Sequence, residues 1–90
     1  MKHLELHILG KVQGVGFRAE TKQLAEELGL TGYVENVGQN EVKVHAEGTD
    51  KDLELFRDWC KKGPEGAEVE KLDEKWTDEF KDYLDFSIRV

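Results

Sequence analysis

The stretch GKVQGVGFR, Gly10–Arg18, contains the residue types best suited to bind an anion. Gly10, Gly14 and Gly16 lie close together in it, and Arg18 is at its far edge. Glycine accepts positive φ angles and lets a ligand approach the main chain closely. Backbone N–H groups at the start of a helix lack partners and carry partial positive charge. This stretch therefore suits an anion.

The position of Arg18 strengthens that prediction. We expect this residue in the first turn of a helix, where the helix dipole disfavours a cation. An anion between the guanidinium and the backbone amides removes the conflict. We predict that a phosphate-sized anion binds at residues 13–18. A flexible connection with a surface arginine is the competing interpretation.

Asn36 is the second candidate, because it ends a predicted strand just before a turn. A turn asparagine commonly bonds its own backbone, and that is the simpler interpretation. A carboxamide at this place can also hold a water molecule, since it both donates and accepts hydrogen bonds.

Other chemistries find little support. The glycine stretch lacks the Lys and Ser/Thr of a Walker A loop, so binding of a magnesium-bound nucleotide is not expected. His3, His7 and His45 are predicted on outward strand faces exposed to solvent. No acidic or cysteine partner accompanies them at metal-ligand spacing, so we expect no metal site. Cys60 shares a helical stripe with apolar residues and is expected in the core.

Length, composition and charge limit the number of domains, the partners and the cellular location that we expect. The chain has 90 residues and a net charge of −7. This length predicts a single domain over residues 1–90. The negative charge disfavours nucleic acid and anionic membranes as partners, and no apolar run is long enough to span a bilayer. One cysteine and no signal-peptide pattern favour a cytoplasmic location.

The elements that carry the candidate residues follow from hydrophobic spacing. Strict alternation over residues 2–9 predicts a strand, and a 3.6-residue period over 17–28 predicts a helix. Residues 32–36 and 41–47 predict a hairpin around the turn at 37–40. Thr49 is a predicted helix N-cap with Asp52 as its partner. The predicted ranges of the later elements are a helix ending at Gly63, a strand at 67–76 and a final strand over 84–90.

This order is the split βαβ pattern of a ferredoxin-like α+β two-layer sandwich. We predict βαββαβ with an extra C-terminal strand, and two helices on one face of a mainly antiparallel sheet.

The sequence resembles the acylphosphatase family across nearly the whole chain. The segments that carry the resemblance are VQGVGFR, the helix that follows it, GYVEN, and the later GPEGAEV and FSI. The resemblance implies the same fold and hydrolysis of acyl phosphates, without metal or cofactor. It implies a small-molecule acyl phosphate as substrate and inorganic phosphate or sulfate as a product-like ligand. We expect a monomer.

The resemblance also implies roles for individual residues. Arg18 matches the family's phosphate-binding arginine, and Asn36 matches its water-positioning asparagine. The phosphate-binding loop corresponds to Gln13, Gly14, Val15, Gly16 and Phe17. The turn departs from the family, which usually has Asp-Gly where this chain has Gln39 and Asn40. Asn tolerates positive φ, so we expect the turn to keep its shape.

Two other functions remain open from the sequence. One is a non-catalytic phosphate-binding regulatory module on the same fold, against which the presence of Asn36 argues. The other is an RNA-binding ferredoxin-like domain, because GVGF superficially resembles an aromatic RNA-recognition motif. Those aromatic residues belong on the third strand, which here reads EVKVHAE.

Overall fold

The computed structural model describes residues 1–90. Five strands and two helices follow one another along the chain as β1 (Lys2–Lys11), α1 (Phe17–Glu27), β2 (Thr31–Val37), β3 (Glu41–Gly48), α2 (Asp50–Lys62), β4 (Glu68–Thr77) and β5 (Phe86–Arg89). The predicted element order and the ferredoxin-like α+β fold are therefore confirmed. Neither helix has the length and apolar character that crossing a bilayer requires.

The strands form one five-stranded sheet in the order β4-β1-β3-β2-β5. β1 and β3 pair antiparallel with Leu6 opposite Val44, and β2 and β3 form the predicted antiparallel hairpin. β5 adds to the outer edge of β2 in parallel, with Ile88 opposite Val34. The sheet is thus mainly antiparallel, and both β2 and β5 end near the start of α1.

Alternation places the inward side chains of the sheet in one core. Leu4, Leu6 and Ile8 of β1 are completely buried, and so are Val42 and Val44 of β3. The helices contribute Phe17, Ala25, Leu53, Phe56 and Cys60 to the same cluster. Burial raises the pKa of the Cys60 thiol, so this residue behaves as a small apolar side chain, as the helical stripe predicted.

The boundaries of α2 follow the predicted local signals. The Thr49 side chain accepts a hydrogen bond from the Asp52 N–H at 3.3 Å, which satisfies one unpaired donor of the first turn. Asp50 and Asp52 lie in the first turn and Lys61 and Lys62 in the last. Both placements complement the helix dipole.

Two sequence expectations are wrong. The last strand covers only Phe86–Arg89, and the Leu84 side chain at its predicted start is fully exposed. His3 was expected in solvent on the outward face of β1, but only 5% of it is exposed. The cause is long-range: Lys81 and Asp82, in the connection before β5, bond to Glu47 beside His3 over this part of the open face.

Candidate active site

The structure brings the predicted site residues together in one cleft of about 300 Å³. The cleft lies where β1 meets α1 and where β2 ends. It is lined by Val12, Gln13, Gly14, Gly16, Phe17, Arg18, Ala19, Asn36, Ile88 and Val90. Val15, which also belongs to the predicted phosphate-binding set, packs its side chain against the core.

The glycine loop, defined here as residues 13–17, owes its shape to two positive φ angles. Gly14 has φ 76° and Gly16 has φ 78°. Such angles strain any residue that carries a Cβ. A Cβ added to Gly14 would meet no atom within 4 Å, so backbone conformation, and not space, requires glycine here.

Gly16 is also the N-cap residue of α1. Because glycine has no side chain, it cannot accept a hydrogen bond from the first N–H groups of the helix. No side-chain hydrogen bond is made at this helix start. The first helical bond is donated by the Glu20 N–H to the Gly16 carbonyl, and the N–H groups from Gly14 to Arg18 make no hydrogen bond within the chain. A row of unpaired donors at a helix N-terminus is an anion-binding arrangement.

Phe17 anchors this helix start to the rest of the molecule. Its side chain is 1% exposed and meets the Trp59 ring edge-on at a centroid distance of 5.6 Å. Trp59 belongs to α2, so the contact ties the start of one helix to the other. Phe17 thus supplies the loop with a backbone N–H and a fixed position.

Arg18 is half-buried at the edge of the cleft. Its guanidinium forms neither an ion pair nor a side-chain hydrogen bond, although the chain carries an excess of carboxylates. Arginine presents a planar set of donors that matches phosphate oxygens. The side chain is therefore available to an anion held by the loop.

Asn36 faces the cleft from the end of β2, opposite the buried Val42 of β3. Its Oδ1 atom is buried and has no hydrogen-bond partner. An unsatisfied buried acceptor costs about 1–3 kcal/mol, and such atoms in folded proteins call for an explanation. The turn interpretation of Asn36, in which the side chain bonds its own backbone, finds no support in this geometry.

Two parts of the cleft escaped the sequence analysis. Ile88 and Val90 line one wall, but the terminal alternation predicted only a strand and gave no pairing partner for it. The second is a contact of the Gln13 side chain, whose Nε2 lies 2.9 Å from the Glu41 carbonyl oxygen and 3.2 Å from that of Gly38. The spacing of residues near Gln13 in the sequence does not predict a contact with residues so far along the chain.

The three histidines lie on the other face of the sheet, away from the cleft. The ring of His3 donates to Glu47 and shares a 2.8 Å hydrogen bond with His45. His7 bonds Glu5 and Glu41, and these two carboxylates, Glu41 first, raise the pKa of its ring. The chain has no group of three or more potential ligands arranged to hold a metal ion.

The fold and the cleft together define a small ferredoxin-like protein that can bind an oxyanion between a strand–helix loop and a β-hairpin. The profile of the acylphosphatase family matches residues 4–88. The chain belongs to the acylphosphatase family.

Individual relatives agree with that assignment. The acylphosphatase of Marinobacter nauticus is 42% identical over 81 residues, which cover 90% of this chain and 88% of that protein. The acylphosphatase of Thermus thermophilus is 46% identical over 79 residues, with 88% and 90% covered. The crystal structure of acylphosphatase from Bacillus subtilis superposes with a TM-score of 0.96 at 29% identity, over all of both chains.

Proposed function

We propose that this protein is an acylphosphatase that hydrolyses the carboxyl–phosphate bond of small acyl phosphates, and that residues 1–90 act as one catalytic domain. The observation that carries the proposal is the pairing of an uncapped helix start and a free guanidinium with a carboxamide across one cleft. Membership of the acylphosphatase family supports the same reaction.

The phosphoryl group binds to the glycine loop in this proposal. The N–H groups from Gly14 to Arg18 point their partial positive charge at its oxygens, and Arg18 adds a charge-assisted contact. These donors are local, which the net charge of −7 makes necessary. As charge shifts toward the equatorial oxygens during transfer, the same contacts strengthen.

Asn36 positions the attacking water. Its carboxamide lines the cleft and can hold that water, because an amide both donates and accepts hydrogen bonds. The side chain and the glycine loop line the same cleft, and in this proposal the water attacks phosphorus from the side away from the leaving carboxylate. Catalysis of phosphoryl transfer rests on positioning of this kind together with electrostatic stabilisation of the transferred group.

The chemical step needs no strong acid. Water forms a new P–O bond, the bond between phosphorus and the carboxyl oxygen breaks, and that electron pair leaves on a stable carboxylate. The water proton passes to a phosphoryl oxygen of the substrate, which gives a carboxylate and dihydrogen phosphate. No metal or cofactor takes part in these steps.

The remaining expectations from the sequence extend the proposal. Inorganic phosphate or sulfate binds the loop as a product-like ligand, and the domain works as a cytoplasmic monomer without nucleic acid or membrane partners. Ile88 and Val90 form an apolar wall beside the phosphate end. The phosphoryl group provides most of the recognition, so acyl groups of several kinds are accepted.

Hydrolysis of benzoyl phosphate, followed by ultraviolet absorbance in EDTA, tests the proposal. We expect metal-free turnover by the parent protein and a loss on the order of 10²-fold or more for Arg18→Ala and Asn36→Ala. Circular dichroism confirms that both variants fold. Near-normal turnover in a folded Arg18→Ala variant contradicts the assignment. Absent turnover in a parent protein that still binds phosphate favours the regulatory-module alternative.

A further inference from the structure

The Gln13 side chain connects two elements that carry different halves of the site. Its Nε2 lies 2.9 Å from the carbonyl oxygen of Glu41, 3.2 Å from that of Gly38 and 3.5 Å from that of Val37. All three acceptors belong to the end of the β2–β3 hairpin. A carboxamide nitrogen has two N–H groups, so Glu41 and Gly38 are the principal partners and Val37 lies at the limit.

The hairpin end needs such a connection. The ladder between β1 and β3 stops at the pair Leu9–Glu41, and residues 38–40 beyond it are exposed. One backbone bond, from the Gly10 N–H to the Asn40 carbonyl at 3.0 Å, continues past the ladder. No other side chain of residues 13–18 makes a hydrogen bond to residues 36–41. Gln13 is therefore the one side-chain link between the glycine loop and the hairpin.

The link acts next to the proposed water-binding residue. Val37 and Gly38 directly follow Asn36 in the chain, and Gln13 itself begins the glycine loop. Any shift of the hairpin against the loop changes the distance between a water on Asn36 and a phosphoryl group on the loop. A misplacement of about 1 Å can cost about 10²-fold in rate, so this register is functionally sensitive.

We propose that Gln13 is a positioning residue, which acts through Asn36 by holding the hairpin at a fixed distance from the glycine loop. This inference rests on the proposed acylphosphatase function. It assigns the Gln13 side chain to the hairpin carbonyls, while phosphate contacts come from the backbone and from Arg18. Binding of phosphate and attack by water then depend on Gln13 to very different degrees.

The experiment compares Gln13→Met with its parent and with Gln39→Met. Methionine keeps the length of glutamine and removes the amide donors. Gln39 lies in the same hairpin, is exposed and makes no side-chain hydrogen bond, so its variant is the matched control. We measure kcat on benzoyl phosphate, the inhibition constant of inorganic phosphate and the thermal unfolding midpoint, each also in an Asn36→Ala background.

We expect Gln13→Met to lower kcat about tenfold or more, with the inhibition constant of phosphate near that of the parent. In the Asn36→Ala background the same substitution should cost little further kcat, because residues that act as a unit are not additive. Gln39→Met should match the parent throughout. If Gln13→Met does not fold, Gln13→Asn, which keeps the amide but withdraws it by one methylene, replaces it.

Three results overturn the inference while leaving the proposed function intact. They are an unchanged kcat in folded Gln13→Met, a loss of kcat matched by equal weakening of phosphate binding, and an undiminished loss in the Asn36→Ala background. A parent protein that does not turn over benzoyl phosphate contradicts the proposed function itself. The two failures are thus told apart by the first measurement.

Discussion

The Arg18 side chain makes no ion pair within the protein, and this absence supports its proposed role. Twenty acidic residues are present in the chain, and other cations use them: Arg57 bonds Asp58 and Glu74, and Lys43 bonds Glu35. Arg18 bonds none of them and stands at the positive end of a helix. Its position is unfavourable without an anion, and the proposed phosphate site resolves that conflict.

Replacement of Arg18 by lysine tests whether charge alone suffices. Arg18→Lys keeps the positive charge but loses the planar pair of donors that matches phosphate oxygens. We expect kcat/KM on benzoyl phosphate to fall about 10²-fold, with the unfolding midpoint unchanged. Arg57→Lys, away from the cleft, is the control and should keep full activity. Equal activity of Arg18→Lys and the parent would mean that a point charge is enough.

Among the elements, the glycine loop is the one whose backbone conformation orients the N–H groups of the proposed phosphate site. Gly16 has φ 78°, and a Cβ built there would lie 3.7 Å from the nearest atom, Glu20 Oε2. An added methyl group therefore meets no clash, and its cost is conformational only.

Gly16→Ala should lower the free energy of unfolding by about 1–2 kcal/mol, the cost of a left-handed conformation for an L-residue. Turnover should fall as well, because a relaxed loop redirects its N–H groups. D-alanine at position 16, introduced by chemical synthesis, accepts the positive φ and should restore both properties. Equal losses with the L- and D-residues would point to the methyl group and away from the backbone.

Hydrogen bonds to Glu47 hold the connection between β4 and β5 on the open face of the sheet. The Glu47 carboxylate is buried and accepts hydrogen bonds from the Lys81 N–H at 2.6 Å, the His3 ring at 2.7 Å and the Asp82 N–H at 2.9 Å. Burial raises the pKa of this carboxyl, but the three donors outweigh burial and leave the pKa below its usual value.

Glu47→Gln should therefore lower the free energy of unfolding at pH 7 by about 2–3 kcal/mol, because an amide replaces a buried, fully bonded carboxylate. A carboxyl with a depressed folded-state pKa stabilises above its unfolded pKa, and the stability is lost as pH falls through the folded pKa. The difference between parent and variant should thus shrink below about pH 4. Glu70→Gln, exposed on β4, is the control. A difference that stays constant down to pH 3 would contradict the anionic role of Glu47.

For the whole molecule, the sequence predicted what local periodicity encodes. Alternation in β1 and β3 gave the core because one face of each strand meets the helices, and Thr49 and Gly63 marked the limits of α2. Contacts between residues that lie far apart in the chain could not be predicted from the sequence. His3 was assigned to solvent because a two-layer fold leaves its face open, and no local signal places Lys81 and Asp82 above Glu47.

The same distinction applies to the site. Arg18 and Asn36 could be proposed because each ends or begins an element, where unpaired groups meet ligands. The Gln13 contacts and the wall formed by Ile88 depend on how β2, β3 and β5 associate, and these pairings lie far apart in sequence. The hydrophobic pattern predicted the fifth strand but could not show that it pairs in parallel with the edge of β2.

Net charge sets the response of the whole protein to salt. A chain of charge −7 repels a phosphate dianion at long range, whereas the glycine loop and Arg18 attract it at contact. The Debye length is about 10 Å at 0.1 M salt, so salt weakens the distant repulsion more than the close attraction.

We therefore expect kcat/KM for benzoyl phosphate to rise between about 0.01 and 0.1 M of a salt whose anion does not compete for the loop. Replacement of Glu54 and Glu65 by lysine tests the cause, because both side chains are exposed, make no ion pair and lie outside the cleft. This variant should be faster at low salt and show a flatter salt dependence. A steady fall of kcat/KM with salt in the parent would mean that Arg18 and the helix start dominate the field even at long range.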